Sequence, residues 1–485
     1  MIEFLLNDRL AKTNAGPGTV VLDLVRREFG LKGTKSGCRE GDCGACAVLL
    51  GSLDGDRVTY SAVPSCLLPV GELQGKHLVT IEGLNLPELT PIQQAMVEEG
   101  ATQCGFCTPG FIVSITGFLL TSPMLSMEDA QAAIEGNICR CTGYLPIIRA
   151  VERALDSLGD RIAGGSDSVP AERVRHLVRA RVLPQLFLEA PGLLGRIARE
   201  QPRATDPARG LSEDHGALDT IVAGGTDLFV QRREELRDAE LSLLSRRPEL
   251  SGVQMDGSTI RIGAATPVEV LRHTPLLRGA LTEWDDALKL IASGLVRNRA
   301  TIGGNIVNAS PIADLAVMLL ALDATLVLER DNEDERRIPL AAFYRGYKQL
   351  DLLEGETVTT IEFERPPRNA RFHFEKVSRR GHLDIAGVNS AALIEAEDLT
   401  VRRASLAAGG VACIPLHLSR ASSRLTGTRL SPDVVDEVAA LAVSESSPIT
   451  DVRGSAEYRK RLLRRLIVAH FVELFPSLEL ESLVT

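Results

Sequence analysis

Eight of the nine cysteines in this chain of 485 residues fall between Cys38 and Cys141, in two groups of four with different internal spacing. The first group reads C-x4-C-x2-C at Cys38, Cys43 and Cys46, with Cys66 downstream, a spacing that holds a plant-type [2Fe-2S] cluster through its thiolates. The second pairs Cys104 and Cys107 with Cys139 and Cys141. A thiolate that reaches an iron from a loop folded back on itself needs backbone angles that glycine supplies. Gly33, Gly37, Gly41 and Gly44 stand where that need arises.

Other chemistries of cysteine fit less well. A disulfide framework belongs to an oxidising compartment, and the N-terminal MIEFLLND has no basic region and no small-residue cleavage site, so a reducing cytoplasm is expected. Structural zinc joins ligand pairs two to four residues apart, whereas only Arg140 separates Cys139 from Cys141. The eight histidines are scattered without metal-ligand spacing. The ninth cysteine, Cys413, is expected to be an inert core thiol.

A second candidate region is apolar and glycine-rich. TIVAGGTDL, Thr220 to Leu228, reads as a strand running into two glycines, a backbone able to approach a diphosphate closely and offer it N-H donors. It does not match G-x-G-x-x-G, and alone it reads equally well as a plain turn. Farther on, VRNRATIGGNIVNASPIADL, Val296 to Leu315, carries a second diglycine with Asn305, Asn308, Ser310 and Asp314 as polar partners. Two such loops are expected to grip one dinucleotide from opposite sides. Lys376, Arg379, Arg380 and Asp384 by themselves read as a solvated charged loop.

The elements that must carry these groups are legible in part. A chain of this length predicts roughly three domains, and 44% hydrophobic with 24% charged residues is ordinary for a soluble globular protein. A net charge of -10 argues against nucleic acid as a partner. Gly100 to Met127 carries no charge, but Pro109 and Pro123 interrupt it and its apolar heart, Phe111 to Leu120, is too short to cross a bilayer. Ile2 to Asn7 reads as a strand, Thr19 to Phe29 as a short helix, and Ala47 to Leu50, Val58 to Ala62 and Val79 to Glu82 complete a small mixed domain. Thr90, Pro91 and Gln93 spell an N-cap, a first-turn proline and a capping-box partner. Thr108 and Pro109 are expected to repeat the device at the mouth of a helix to about Thr121, and Ser126 with Asp129 to cap a third. A fourth helix is expected from Leu145 to Leu158.

Gly159 to Arg181 reads as a linker followed by an arginine-rich, solvated or subunit-facing helix. A second core is expected from Val182, with an amphipathic helix over Gly192 to Glu200 and a polar break from Gln201 to Gly216. Beyond it come strands at Thr325 to Leu328 and Thr359 to Phe363 and a helical tail from Ser455 to Leu474. The expected domains are 1-83, 84-158, a linker at 159-181, then 182-367 and 368-485.

At GTKSGCREGDCGACAV, QCGFCTPGF and GNICRCTGY the sequence closely resembles the iron-sulfur part of the xanthine dehydrogenase family of molybdenum hydroxylases. AGGTDL, ATIGGNIVNASPIADL and the Lys376 to Asp384 run are similar to the family's FAD domain, and DVRGSAEYR to its C-terminal lobe. The resemblance implies an α+β multidomain fold: a ferredoxin-like β-grasp [2Fe-2S] domain, a four-helix [2Fe-2S] domain, and a two-part α+β FAD-binding domain with a C-terminal lobe. It implies that Cys38, Cys43, Cys46 and Cys66 hold one cluster and Cys104, Cys107, Cys139 and Cys141 the other. Gln103 matches a glutamine that touches the molybdopterin. For FAD it implicates Ile221, Val222, Ala223, Gly224, Gly225, Thr226, Asp227, Ile291, Thr301, Gly304, Asn305, Asn308, Asp314, Val358 and Lys376. Ile291 stands where relatives commonly have a phenylalanine beside the flavin, and Asn308 replaces a hydroxyl residue found in some.

The implied function is electron transfer. A large molybdopterin-binding subunit would hydroxylate hypoxanthine or xanthine, in a heterotetramer of two small and two large chains. Electrons would pass through both clusters to FAD and leave as hydride to NAD near Lys376, Arg380 and Asp384. Other molybdenum hydroxylases, acting on an aldehyde, carbon monoxide or an N-heterocycle, are the nearest alternative. A stand-alone flavin and iron-sulfur reductase and a zinc and nucleotide-binding scaffold are more distant ones.

Overall fold

Alternation along the first strands decides the architecture of the N-terminal region. Strands β1 (Ile2–Leu6), β2 (Arg9–Thr13), β3 (Ala47–Asp54), β4 (Arg57–Pro64) and β5 (His77–Val79) form one sheet in the order β2-β1-β5-β3-β4. Successive residues point to opposite faces. Phe4, Leu6, Val48, Leu50 and Leu78 fill a core on one side, against Val21, Leu24 and Val25. Leu5, Ala47, Leu49 and Val79 belong to a second core on the other side, shared with the helices that follow. A sheet buried on both faces thus joins the two cysteine regions. The helix expected over Thr19 to Phe29 is a single α turn, Val21–Asp23, that widens into a π-helical stretch, Leu24–Glu28.

The computed structural model describes residues 1–122, 125–162, 170–200, 220–330, 335–381, 383–480 and 483. Backbone contacts divide them into two units, the first of which takes in residues up to 200 together with 220–244 and 292–299. Its helical part opens on Pro91–Glu98, where the Thr90 hydroxyl accepts from the Gln93 amide and the Gln93 side chain accepts from the Thr90 amide. The central helix, Thr108–Thr121, is buried at every position from Gly110 to Leu119, which is why that stretch carries no charge. Gly117 lets it lie on the sheet, since a Cβ there would sit 2.8 Å from that of Ala62. Met127–Ile134, capped by Ser126, and Leu145–Ile162 complete the expected four.

Three expectations need correction. Thr108 does not cap its helix; Cys107 is the N-cap residue, and the Thr108 hydroxyl bonds that of Thr102 at 2.8 Å. The arginine-rich helix expected after the linker is Pro170–Arg179, but it is not solvated all round, since Val174 and Leu177 are buried in the helical core; residues 163–169 lie outside the described residues. Val182, Leu183, Phe187, Ala190, Leu194 and Ile197 join the same core through the helix Leu186–Glu200, so no second core begins at Val182. Its apolar face packs equally well onto the first core, and periodicity alone does not name the partner. The polar break at Gln201 to Gly216 also lies outside the described residues. Within this unit β6 (Thr220–Val222) pairs in parallel with β7 (Leu241–Leu243).

The second unit takes in residues 245–291 and those from 300 onward. Strands β8 (Val253–Asp256), β9 (Thr259–Gly263), β10 (Thr325–Glu329), β11 (Arg336–Pro339) and β14 (Thr357–Glu364) form a sheet in the order β11-β10-β14-β9-β8. β12 (Tyr344–Gly346) and β13 (Gln349–Leu350) make a separate hairpin. The C-terminal lobe is a sheet of β15 (Ala370–Val377), β16 (Val388–Glu397), β17 (Thr400–Gly409) and β18 (Leu416–His417), covered by helices Ser419–Leu425, Pro432–Glu445 and Ala456–Leu474 around their own apolar core. Cys413, expected inside, is exposed. It lies in the loop between β17 and β18 rather than on an inward-facing strand position.

Candidate cluster and flavin sites

The first cysteine loop is shaped by its glycines. Gly41 and Gly44 have φ of +86° and +63°, and a Cβ on Gly37 would lie 2.7 Å from the Cys43 sulfur. The Cys38 amide donates to Cys43 Sγ at 3.4 Å and the Glu40 amide to Cys38 Sγ at 3.3 Å. The four thiols associate as two pairs. A bond from the Cys43 thiol brings Cys38 down to about 5 and in return raises Cys43. The Cys66 thiol does the same for Cys46, which is lowered while Cys66 is raised.

The second quartet is also two pairs, one inside and one outside. Cys107 and Cys139 are buried; Cys104 and Cys141 are exposed, with sulfurs 3.6 Å apart. Burial, aided by its bond to Cys139, pushes Cys107 up to about 12. Burial also opposes ionisation of Cys139, but the Thr142 hydroxyl at 3.2 Å and the amides of Thr142 and Cys141 outweigh it and bring the group to about 7. The Phe106 amide and the Cys141 thiol lower Cys104.

Pairing of this kind tests the fit to a two-iron cluster, in which each iron takes two thiolates. A disulfide would need sulfurs about 2.05 Å apart; two thiolates on one tetrahedral metal, with bonds of about 2.3 Å, stand roughly 3.7 Å apart. The Cys104–Cys141 separation matches the second. All nine cysteines are free. Among the described residues no three His, Cys, Asp or Glu side chains gather around a single-ion position.

The two loops touch. The Ile138 amide donates to the Cys43 carbonyl at 3.0 Å, and Asn137 Nδ2 donates to the Gly44 carbonyl at 3.2 Å. Gly110 permits this approach, since a Cβ there would lie 2.4 Å from that carbonyl oxygen. Asn137 and Ile138 escaped the reading of the sequence. The available signal was an asparagine two residues before Cys139; its burial, to 3% exposure, only the structure shows.

The residues implicated in flavin binding divide between the units. Ile221 to Asp227 belong to the first, and the others to the second. After β6 the chain turns at Gly225, φ +74°. No described residue accepts a hydrogen bond from the amides of Gly224, Gly225, Thr226 or Asp227, so this loop retains the donors an anion needs. The second diglycine differs. The amides of Ile302, Gly303 and Asn305 bond Thr266, Ala264 and Thr301 carbonyls, and that of Gly304 bonds the Thr301 hydroxyl at 3.1 Å. The N-H donors expected of it are therefore spent within the protein. Its side chains remain, and Asn305 Oδ1 is buried without a partner among the described residues.

Lys376 is not a solvated group. Its side chain is 3% exposed, and its ammonium bonds Asp314 Oδ2 and the Leu290 carbonyl, each at 2.8 Å. Asp314 also accepts from Asn389, and Asn308 is held by Lys348 through its carbonyl and side-chain oxygens. Ile291 and Val358 are buried. Asp384 accepts from the amides of Arg379 and Arg380 at 3.0 and 3.1 Å, tying the charged loop into a turn. Gln103 is exposed beside Cys104.

Four family models match the chain in succession. They are a 2Fe-2S iron-sulfur cluster binding domain over residues 4–70, a [2Fe-2S] binding domain over 80–152, an FAD binding domain in molybdopterin dehydrogenase over 199–366, and a CO dehydrogenase flavoprotein C-terminal domain over 372–474. The chain belongs to the molybdenum hydroxylase family. Like the iron-sulfur and flavin parts of other molybdenum hydroxylases, it is built for two [2Fe-2S] clusters and FAD. It is 30% identical to xanthine dehydrogenase 1 of Arabidopsis thaliana over 90% of its own length, and 27% identical to xanthine dehydrogenase/oxidase of Rattus norvegicus over 95%. It spans only 37% and 38% of those relatives. Among solved structures, a carbon monoxide dehydrogenase chain from Hydrogenophaga pseudoflava superimposes with a TM-score of 0.50 at 29% identity, covering 52% of this chain and 88% of that one. No helix among the described residues is long and apolar enough to cross a membrane.

Proposed function

We propose that this chain is the electron-transfer subunit of a xanthine dehydrogenase, taking electrons from a large molybdopterin-binding partner and passing them to NAD in the cytoplasm. The observation that carries the reading is the backbone bond from Ile138 to the Cys43 carbonyl, which joins a ligand-bearing loop of one quartet directly to that of the other. When bound, the clusters supply one-electron carriage and FAD its conversion to two-electron delivery.

The roles of the residues follow. Cys38, Cys43, Cys46 and Cys66 would hold one cluster, and Cys104, Cys107, Cys139 and Cys141, two of them exposed, the other. The exposure of Cys104, Cys141 and Gln103, with Phe106 at 45% and Tyr144 at 41% exposure, makes this edge the face offered to the partner. Apolar and aromatic groups around an electron donor suit a docking face from which water is excluded. In the first unit the free amides of Gly224 to Asp227 would take the FAD diphosphate, and in the second unit the side chains of Thr301, Asn305 and Asn308 would be its polar contacts, with Gly304 in the same turn. Lys376 and Asp314 neutralise one another within the second unit, and the Arg380 and Asp384 turn would be the outlet for hydride. The assembly proposed is a heterotetramer of two small and two large chains.

A second reading keeps the same electron path and changes the substrate. The likeness to a carbon monoxide dehydrogenase favours carbon monoxide as what the partner oxidises. Purification with the native partner, followed by iron, sulfide, flavin and molybdenum counts and assays with xanthine and NAD, separates the two. Four irons and one FAD per chain with xanthine-dependent NAD reduction are expected. The same stoichiometry with no turnover of xanthine transfers the assignment to the second reading, and a native preparation that holds iron and flavin but neither molybdenum nor a large partner removes both.

A further inference from the structure

Arg299 is a buried cation that the functional reading leaves without a role. It is 8% exposed, and its Nη2 donates to Glu72 Oε1 at 3.0 Å and to the Gly224 carbonyl at 3.2 Å. Glu72 is itself buried, and its other oxygen takes Lys76 Nζ at 3.1 Å. Glu72 sits in the turn Val70–Leu73, a few residues beyond Cys66, whereas Gly224 opens the loop with unspent amides. One guanidinium therefore holds both the segment after a cluster cysteine and the carbonyl of the diglycine loop. Neighbouring contacts keep Arg299 in place: Asn298 Nδ2 donates to the Ala62 carbonyl at 2.9 Å.

A second arginine acts in the same sense at the other end. Arg233, just past the loop, donates to the carbonyl of Arg39, the residue next to Cys38. Gly18 and Leu236 complete the contact, since a Cβ on Gly18 would lie 1.7 Å from the Leu236 carbonyl oxygen. The stretch from Gly224 to Leu236 is thus fastened near both ends to segments that flank cysteines of the first quartet.

We infer that Arg299 is a positioning residue, whose bridge between Glu72 and the Gly224 carbonyl sets the flavin-binding loop against the first cluster's polypeptide. The inference rests on the reading of Gly224 to Asp227 as a diphosphate loop. A carbonyl pinned from behind turns the amides of the same loop outward in a fixed direction, which lowers the ordering needed when an anion binds. Both bonds leave one nitrogen, Nη2, so a lysine ammonium that reaches the same place keeps the charge and two donors and is limited by its different length and shape.

The test uses the complete chain with its native partner and compares wild type, Arg299→Met, Arg299→Lys and Glu72→Gln. FAD dissociation is followed by the return of flavin fluorescence, and the reduction of clusters and flavin by stopped-flow absorbance. Arg299→Met is expected to weaken FAD by about tenfold or more, the loss of one charged hydrogen bond, and to slow cluster-to-flavin transfer. Iron content and both cluster EPR signals should stay as in wild type, and Arg299→Lys should recover part of the affinity. If Arg299→Met does not fold, the lysine and glutamine variants carry the comparison. Wild-type FAD affinity and transfer rate in every folded variant overturn the inference alone; a wild-type chain that binds no FAD overturns the flavin reading beneath it.

Discussion

Cys104 and Cys141, 37 residues apart in the chain, bring their sulfurs to 3.6 Å at the exposed edge of the helical domain. Cys107 and Cys139 form the inner pair of the same quartet. On the proposed reading each pair would serve one iron, so removing one sulfur from either quartet should empty that quartet alone. Cys141→Ser is expected to lower iron from four per chain to two and to abolish one of two EPR signals, and Cys46→Ser to abolish the other. Loss of both signals in either variant would mean that the quartets are not independent sites.

Spacing made the cysteines legible because a metal cluster imposes its own geometry on the loops that hold it. Capping chemistry was legible for a similar local reason, and Thr90 closes the box that its neighbours spell. Thr108 shows the limit, since the same residue types follow a cysteine whose own position starts the helix, and its hydroxyl finds Thr102 instead. What sequence did not disclose was partnership at a distance. The helix Leu186–Glu200 displays an apolar face without saying which core receives it, and Lys376 reads as solvated until Asp314, 62 residues earlier, is found beside it. The bond from Ile138 to Cys43 is likewise a long-range fact.

That bond depends on Gly44. With φ of +63°, it would place an alanine Cβ 2.4 Å from both Asn137 Nδ2 and the Gly136 carbonyl oxygen. Left-handed backbone costs a residue with a side chain about 1–2 kcal/mol, and the clash adds to it. Gly44→Ala is expected to lower the thermal midpoint and to weaken magnetic coupling between the two reduced clusters in EPR. Gly55→Ala is the control: its φ is +62°, yet its Cβ would meet nothing within 4 Å. Equal effects from the two substitutions would show that strain alone, and not the joint between the loops, is being measured.

The Lys376–Asp314 pair makes a different kind of expectation, about a buried charge left alone. The two side chains are 3% and 13% exposed. Breaking such a pair by removing one partner costs about 3–5 kcal/mol, because the other charge stays buried. Lys376→Met should therefore destabilise the second unit by about that much in urea unfolding. Adding Asp314→Asn should restore part of the loss, the non-additivity of a contacting pair. Simple additivity would mean that the ion pair contributes nothing.

His77 should give the first unit an acid-sensitive stability. It is fully buried, its Nδ1 faces the Tyr60 hydroxyl at 2.8 Å and its Nε2 the Asn7 carbonyl at 2.9 Å, an arrangement that satisfies the neutral ring. Burial holds it down to about 4, and the bond to Asn7 only partly offsets this. An unfolded histidine titrates near 6.5. Between these values the unfolded chain binds a proton that the folded chain refuses, so the contribution is complete above about pH 6.5 and is lost as pH falls toward 4. The slope approaches about 1.4 kcal/mol per pH unit for one such group. Urea midpoints taken from pH 7.5 down to pH 4.5 should fall more steeply for the wild-type chain than for His77→Asn. Parallel slopes would show that protonation of this ring is not what acid unfolding requires.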